Sequence, residues 1–163
     1  MINYANRGKK LESLIELTNS AYADLKKGNV VKLPHPFQTL KVKGSKVEGF
    51  FKRGYLVDYV GISEGETIIF DAKELHGKSF PLKNVTNSQI RLLSDWDEQG
   101  AEAFLLIHFK DLDRYFKLNI SNYVYLEMIM QVENKKSINI KFFEEFAKEI
   151  FIKEGILDYL EVL

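Results

Sequence analysis

A chain of 163 residues, 45% apolar and 13% aromatic, can bury a sizeable core, about 70% of the surface its unfolded form exposes, and it holds no apolar run of membrane-spanning length. Cysteine is absent, which excludes disulfides, thiolate nucleophiles and cysteine-held zinc; with no secretory pattern behind Arg7, Lys9 and Lys10, a cytoplasmic protein is expected. The zero net charge is unevenly spread, with 11 Lys and Arg against 4 Asp and Glu in residues 1–57 and 12 against 19 in residues 58–163, a division that suits a nucleic-acid face backed by a solvated one.

Leu11, Leu14, Ile15, Thr18, Ala21, Tyr22 and Leu25 recur at helical spacing, so the first element is a helix, with Gly28 expected as its C-terminal cap. Extended segments over residues 30–33 and 37–42 follow, separated by His35-Pro36. Residues 43–53 carry Lys43, Lys46, Lys52 and Arg53 together with Gly44 and Gly49. They predict a protruding basic hairpin or loop. Residues 56–61 and 66–74 flank Ser63-Glu64-Gly65 and predict an antiparallel hairpin. A second helix is expected over residues 88–99, capped by Asn87 or Ser88, ended by Gly100, and burying Ile90, Leu93 and Trp96. Residues 103–109 and 114–119 predict strands, the first so apolar that it belongs in the sheet centre. Ser121 is expected to cap a helix through Val132, residues 142–150 to be helical, and residues 157–163 to return as a short strand. No repeat or linker interrupts the pattern, so residues 1–163 are expected to form one α/β domain.

The residues that carry chemistry are Asp58, Asp71 and Lys73. Positions i and i+2 of a strand share a face, so Asp71 and Lys73 point one way while Phe70 and Ala72 point the other. A turn centred between Glu64 and Gly65 places position 58 opposite position 71, so two carboxylates face each other across the hairpin. At a Cβ separation of about 4.5–5.5 Å both reach one divalent ion. An Asp-x-Lys triplet is common by chance. The opposed Asp58, and the core character of Ile68-Ile69-Phe70 around an otherwise costly charge, weigh for function. Oxygen ligands without clustered histidine favour magnesium, with manganese as substitute, and Lys73 beside the ion suits a phosphate oxygen or the attacking water. His35, His76 and His108 have no zinc spacing and read as surface or structural residues. Phe50, Phe51, Tyr55 and Tyr59 could stack on unpaired bases, although packing is the commoner fate of such aromatics.

At these positions the sequence resembles the PD-(D/E)xK nucleases, the restriction-endonuclease-like class, and within it the RecU-type Holliday junction resolvases. Asn6-Arg7-Gly8, Pro36-Phe37-Gln38, Asp58-Tyr59, Phe70-Asp71-Ala72-Lys73-Glu74, Ser79-Phe80-Pro81-Leu82, Gln89-Ile90, Lys136-Ser137-Ile138 and Leu157-Asp158-Tyr159-Leu160 look like that family's landmarks in order. The resemblance implies a mixed central sheet flanked by helices, with a basic stalk at about residues 43–53. It also implies a magnesium-dependent endonuclease, active as a homodimer, that nicks four-way DNA junctions symmetrically in recombination and repair. Carried over by position, Asp58, Asp71 and the Ala72 carbonyl are metal ligands and Lys73 is the catalytic lysine. Glu12, four residues after Gly8, matches a helix glutamate near the metal, while its spacing equally suits a solvated helix position. Gln89 matches a glutamine that either touches DNA or caps its helix. Arg7, Lys9, Lys43, Lys46, Lys52 and Arg53 complete the expected DNA contacts. The sequence departs from the family in having Asp71 where glutamate is usual, Leu56-Val57 where hydroxyl residues precede the first aspartate, and a shorter stalk. The basic extension that often opens the family is missing, which points to a minimal version of phage or Gram-positive bacterial origin. Two further readings stay open at this point, a nuclease of other branched or flapped DNA and a non-cleaving branched-DNA-binding factor.

Overall fold

The computed structural model describes residues 9–34, 37–51 and 57–163. Arg7, His35, Lys52, Arg53, Tyr55 and Leu56 lie outside the described residues, as does the side chain of Lys9. In chain order the elements are α1 (Lys9–Asp24), β1 (Gly28–Lys32), β2 (Phe37–Lys43), β3 (Lys46–Phe51), β4 (Tyr59–Ser63), β5 (Glu66–Leu75), β6 (Ser79–Pro81), α2 (Asn87–Glu98), β7 (Glu102–Phe109), β8 (Arg114–Asn119), α3 (Ile120–Val132), β9 (Ser137–Asn139), α4 (Ile140–Phe146), β10 (Lys148–Ile150), β11 (Ile152–Lys153) and β12 (Ile156–Leu157).

Six strands form the central sheet in the order β1-β4-β5-β7-β8-β10. β5 and β7 run parallel, with α2 in the connection between them, and the other neighbours are antiparallel. β7 is buried from Ala103 to Phe109, as a strand covered on both faces must be, which is why its sequence is apolar without alternation. On one face Leu11, Ile15 and Tyr22 of α1 pack with Tyr59, Phe70, Phe104 and Tyr159. On the other, Leu93 of α2, Tyr123, Leu126 and Met130 of α3 and Phe143 of α4 pack with Ile69, Leu105 and Phe116. The result is a mixed sheet between helical layers.

The β4–β5 hairpin turns on Glu64 (φ 51°) and Gly65 (φ 90°), a two-residue turn with both central residues left-handed, which matches the twist of the flanking strands. It sets the register Ser63↔Glu66 through Tyr59↔Phe70, the pairing expected from sequence. Gly61 is required by close approach, since a Cβ there would lie 2.4 Å from the Asn29 carbonyl oxygen and 2.6 Å from the Val30 Cα. The basic segment is a separate two-stranded hairpin of β2 and β3, with Lys43 paired to Lys46 across the tip.

Several local expectations are corrected. α1 ends at Asp24, its left-handed terminal residue is Lys26 (φ 56°), and Gly28 instead begins β1 opposite Ser63, while Leu25 is exposed. α2 is capped by Thr86, whose hydroxyl accepts from the Gln89 amide while the Gln89 side chain bonds back to Thr86, a reciprocal box that leaves Asn87 and Ser88 inside the helix. Asn119, not Ser121, precedes α3. Trp96 is exposed rather than buried, whereas Leu93 is fully buried. Residues 148–150 are a strand because β8 offers an open edge, where Arg114 grips Glu149 through two hydrogen bonds of 2.6 Å. Pairing there overrides the helical pattern. The expected strand at residues 157–163 shrinks to β12, and the following residues form no strand.

Candidate active site

β5 pairs with β7 from Ile68 to Leu75, whereas β4 pairs with it only from Glu66 to Phe70. Beyond Phe70 no described strand pairs with the β4 side of β5, and there the Ala72 amide donates to Asp58 Oδ2 at 3.0 Å. The separating strands create the gap, and the hairpin register brings Asp58 to it.

Asp71 is completely buried. Its Oδ1 accepts from Gln89 Nε2 at 2.9 Å and its Oδ2 lies 2.5 Å from Lys73 Nζ. Burial pushes the Asp71 carboxyl up to about 7; the Lys73 ammonium works against this and the Asp58 charge adds to it. Lys73 is one-fifth exposed, so it links the buried carboxylate to solvent. Gln89 serves two ends. Its Oε1 accepts from the Thr86 amide as part of the helix cap, which fixes its Nε2 toward Asp71. The amino end of α2 and the centre of β5 are thereby tied together.

The structure thus brings together Asp58, Asp71, Lys73 and Gln89. Glu12 stands apart from them, its Oε2 held by Lys32 Nζ at 2.8 Å with the side chain 44% exposed. Among the described residues no set of three or more His, Cys, Asp or Glu converges as metal ligands do. Two opposed carboxylates, one raised by burial and further by the charge of the other, still fit a hard divalent cation, because a positive charge between them offsets both the burial and the repulsion, with water completing the shell. Lys43 and Lys46 lie on the β2–β3 hairpin, away from this pair in sequence and in sheet. Tyr59 is a core residue stacked on Phe70. His76 is two-thirds exposed against Asp111, in keeping with its surface reading, and Phe50 is exposed on β3.

A group on the opposite face of β5 escaped sequence reasoning. Glu74 follows Lys73 and accepts from the Leu11 amide at 3.3 Å, while His108 Nδ1 lies at 2.9 Å and Lys110 Nζ at 2.7 Å. Burial would raise the Glu74 carboxyl, but Lys110 and His108 outweigh it and hold it below its ordinary range. His108 reaches Asp113 through Nε2 at 3.3 Å and stacks on Tyr115. This network fastens the start of α1 to the strand that carries Asp71. A charge at Glu74 in a core strand was a visible signal. Its partner was not, since Glu74↔His108 is a parallel register that no turn fixes.

The raised Asp71 carboxyl has a measurable consequence. A group whose folded pKa exceeds its unfolded value contributes stability that is complete below the unfolded value and lost as pH rises through the folded one, here between about 4 and 7. In chelator, thermal unfolding of wild type and Asp71→Asn should therefore diverge across that window, with the variant more stable at pH 8 by at least about 1 kcal/mol. Parallel curves at every pH would contradict the assignment of Asp71 as a buried carboxyl raised by desolvation.

The family model for recombination protein U, RecU, matches residues 6–163. The chain belongs to the RecU family. A Holliday junction resolvase RecU of Staphylococcus carnosus is 40% identical over 147 residues, 86% of this chain and 71% of that protein. The RecU of Streptococcus sanguinis is 31% identical over 172 aligned positions, covering all of this chain and 84% of the relative. A solved structure of Hjc, a Holliday junction resolvase of Archaeoglobus fulgidus, aligns with a TM-score of 0.47 at 12% identity over 83% of this chain and 94% of that one. No helix among the described residues of this RecU-family chain is long and apolar enough to cross a membrane.

Proposed function

We propose that this chain is a Holliday junction resolvase, a magnesium-dependent endonuclease that acts as a homodimer and nicks four-way DNA junctions symmetrically, with residues 1–163 working as one nuclease domain. The observation that carries the reading is the buried Asp71, opposed by Asp58 and paired with Lys73 on a core strand, in a chain whose family relatives are named Holliday junction resolvases. Asp58, Asp71 and the Ala72 carbonyl would hold the ion, Mg2+ or in its place Mn2+. Bound there, it supplies Lewis acidity at a phosphoryl oxygen and lowers the pKa of a water. Lys73 presents its ammonium where the scissile phosphate gains negative charge. Gln89 keeps one Asp71 oxygen directed inward, so the other stays with Lys73 and the site. Hydrolysis then breaks one P–O bond and leaves the water oxygen on phosphorus. A two-fold dimer supplies two such sites for strands of like polarity.

A labelled four-way junction incubated with the protein and magnesium tests the function. Paired symmetric nicks are expected; tight binding in calcium with no cutting in magnesium or manganese would make the chain a binding factor. The hairpin tip provides a second measurement. Lys43 and Lys46 face each other there, and two hairpins in a dimer would meet converging phosphates at a junction centre that linear duplex lacks. Lys43→Ala with Lys46→Ala should weaken junction binding and flatten its salt dependence by up to about 0.9 log unit of slope per lost phosphate contact. Equal losses on duplex would reduce the hairpin to a general phosphate grip.

A further inference from the structure

Two stretches of the acidic half of the chain carry no acid. Residues 75–94 and 134–143 hold none of the 19 Asp and Glu found in residues 58–163, but six of its 12 Lys and Arg. The fold brings these stretches together. β6 and β9 pair as a separate ribbon, Ser79↔Asn139 through Pro81↔Ser137, and the Ile140 amide donates to the Lys78 carbonyl beyond one end, the Leu82 amide to the Lys136 carbonyl beyond the other. Lys78 and Lys141 therefore lie at one end of the ribbon and Lys83 and Lys136 at the other, about 13 Å away at strand spacing. All four are exposed, and among the described residues none has a carboxylate partner, whereas Lys135 and Arg91 in the same stretches pair with Glu133 and Asp95. Gathering like charges costs free energy that an anion would return.

The ribbon is rigid and stands beside the site. Phe80 and Ile138 face each other on its inner side, fully buried, with Phe80 edge-on to Tyr123 and Phe143. Ser79, Pro81, Ser137 and Asn139 alternate with them on the outer side, where short uncharged side chains let another backbone come close. Lys78 follows Lys73 by five residues, at most about 18 Å away along the chain. Lys83 precedes by three residues the Thr86 cap that directs Gln89 onto Asp71. Ile69 shares a strand face with Asp71 and Lys73 and packs in one cluster with Phe80 and Ile138, so the ribbon and the buried carboxylate lie on the same face of the sheet. The β2–β3 hairpin belongs to the other side of the site, inserted between β1 and β4.

We propose that the β6–β9 ribbon and its four lysines, Lys78, Lys83, Lys136 and Lys141, form a second phosphate-binding surface, which holds the duplex arm beside the cut phosphate while the hairpin stays at the junction centre. Lysine ammonium groups at both ends of the ribbon neutralise phosphates of a strand lying across the outer side, and the serine hydroxyls and the Asn139 amide can donate between them. An arm of a junction is ordinary duplex, so this grip is blind to branching. This surface serves the nuclease reading given above and rests on it.

The test is fluorescence anisotropy with the full-length protein in calcium, on a labelled four-way junction and on a linear duplex matching one arm, over a series of salt concentrations. Replacing all four lysines with Gln should weaken binding of both DNAs about equally, by tenfold or more at physiological salt, and flatten both salt slopes by up to about 0.9 log unit per lost contact. Lys78→Gln with Lys141→Gln and Lys83→Gln with Lys136→Gln should each give part of that loss. Lys26→Gln with Lys27→Gln is the control for net charge, since both are exposed next to Gly28, which pairs with Ser63 at the opposite end of the sheet from Leu75; it should change affinity by less than about twofold. Melting temperatures in chelator should match wild type for every variant, because each lysine replaced is exposed. A fourfold variant that binds both DNAs like the control overturns the surface and leaves the lysines to water or to an acidic polypeptide. A loss confined to the junction overturns its assignment to the arm. A wild-type protein that binds neither DNA overturns the nuclease reading together with the surface, whereas junction binding that survives in the fourfold variant overturns the surface alone.

Discussion

Asp71→Asn should abolish junction cleavage in magnesium while leaving junction binding in calcium within about threefold of wild type. The amide matches the carboxylate in shape and can keep one oxygen on Gln89 Nε2, so the tie between β5 and the amino end of α2 survives. What it removes is the negative charge beside Asp58, and with it the attraction for a hard cation. It also removes the cost of burying that charge. The variant should therefore be inactive and more stable above neutral pH, a combination that a damaged fold cannot produce. Cleavage within tenfold of wild type would refute the assigned site.

Lys73→Ala should lower single-turnover cleavage by at least about a hundredfold, the usual scale for loss of one charged group directed at developing charge. Its ammonium lies 2.5 Å from Asp71 Oδ2, so it also opposes protonation of that carboxyl. Two consequences of the substitution can be told apart. Loss of phosphate stabilisation lowers the rate at saturating magnesium and at every pH. Loss of the Asp71 partner shifts the magnesium requirement toward higher pH, because the carboxyl must give up its proton to bind. A cleavage defect cured entirely by more magnesium would assign Lys73 to metal binding alone, and a lowered melting temperature without a rate defect would make it structural.

The opposition of Asp58 to Asp71 was legible in the sequence because one short turn fixed it. Glu64 and Gly65 determine the β4–β5 register, and every pairing from Ser63 to Tyr59 follows from that turn. The face shared by Asp71 and Lys73 follows from strand geometry alone, and the central place of β7 from its unbroken apolar run. The partners of Asp71 were less accessible. Gln89 was expected either to cap α2 or to meet DNA, and the reciprocal Thr86 box shows that capping is what directs its amide to Asp71. The displaced caps at Gly28 and Ser121 mislead for a common reason: more than one residue near each helix end can serve, and the tertiary environment selects among them. Residues 148–150 carry a local preference that the open edge of β8 defeats. The contacts of Glu74 and Tyr59 were hidden because they depend on how α1 and β1 lie over the sheet, which no local pattern encodes.

α1 is fastened at its far end by residues that come very late in the chain. The Leu157 amide donates to Thr18 Oγ1 at 3.1 Å, the Tyr22 hydroxyl donates to Asp158 at 2.8 Å and accepts from the Leu160 amide at 3.0 Å, and Tyr159 bonds Asn19. These contacts join positions 136 to 140 residues apart. During synthesis the helix that bears Glu12 emerges well before its clasp, which waits for residues 157–160. A nascent chain can pair β4 with β5, but the α1 side of the cleft cannot be secured until the clasp is made. The order of synthesis therefore holds back the α1 side of the cleft until residues 157–160 have been made.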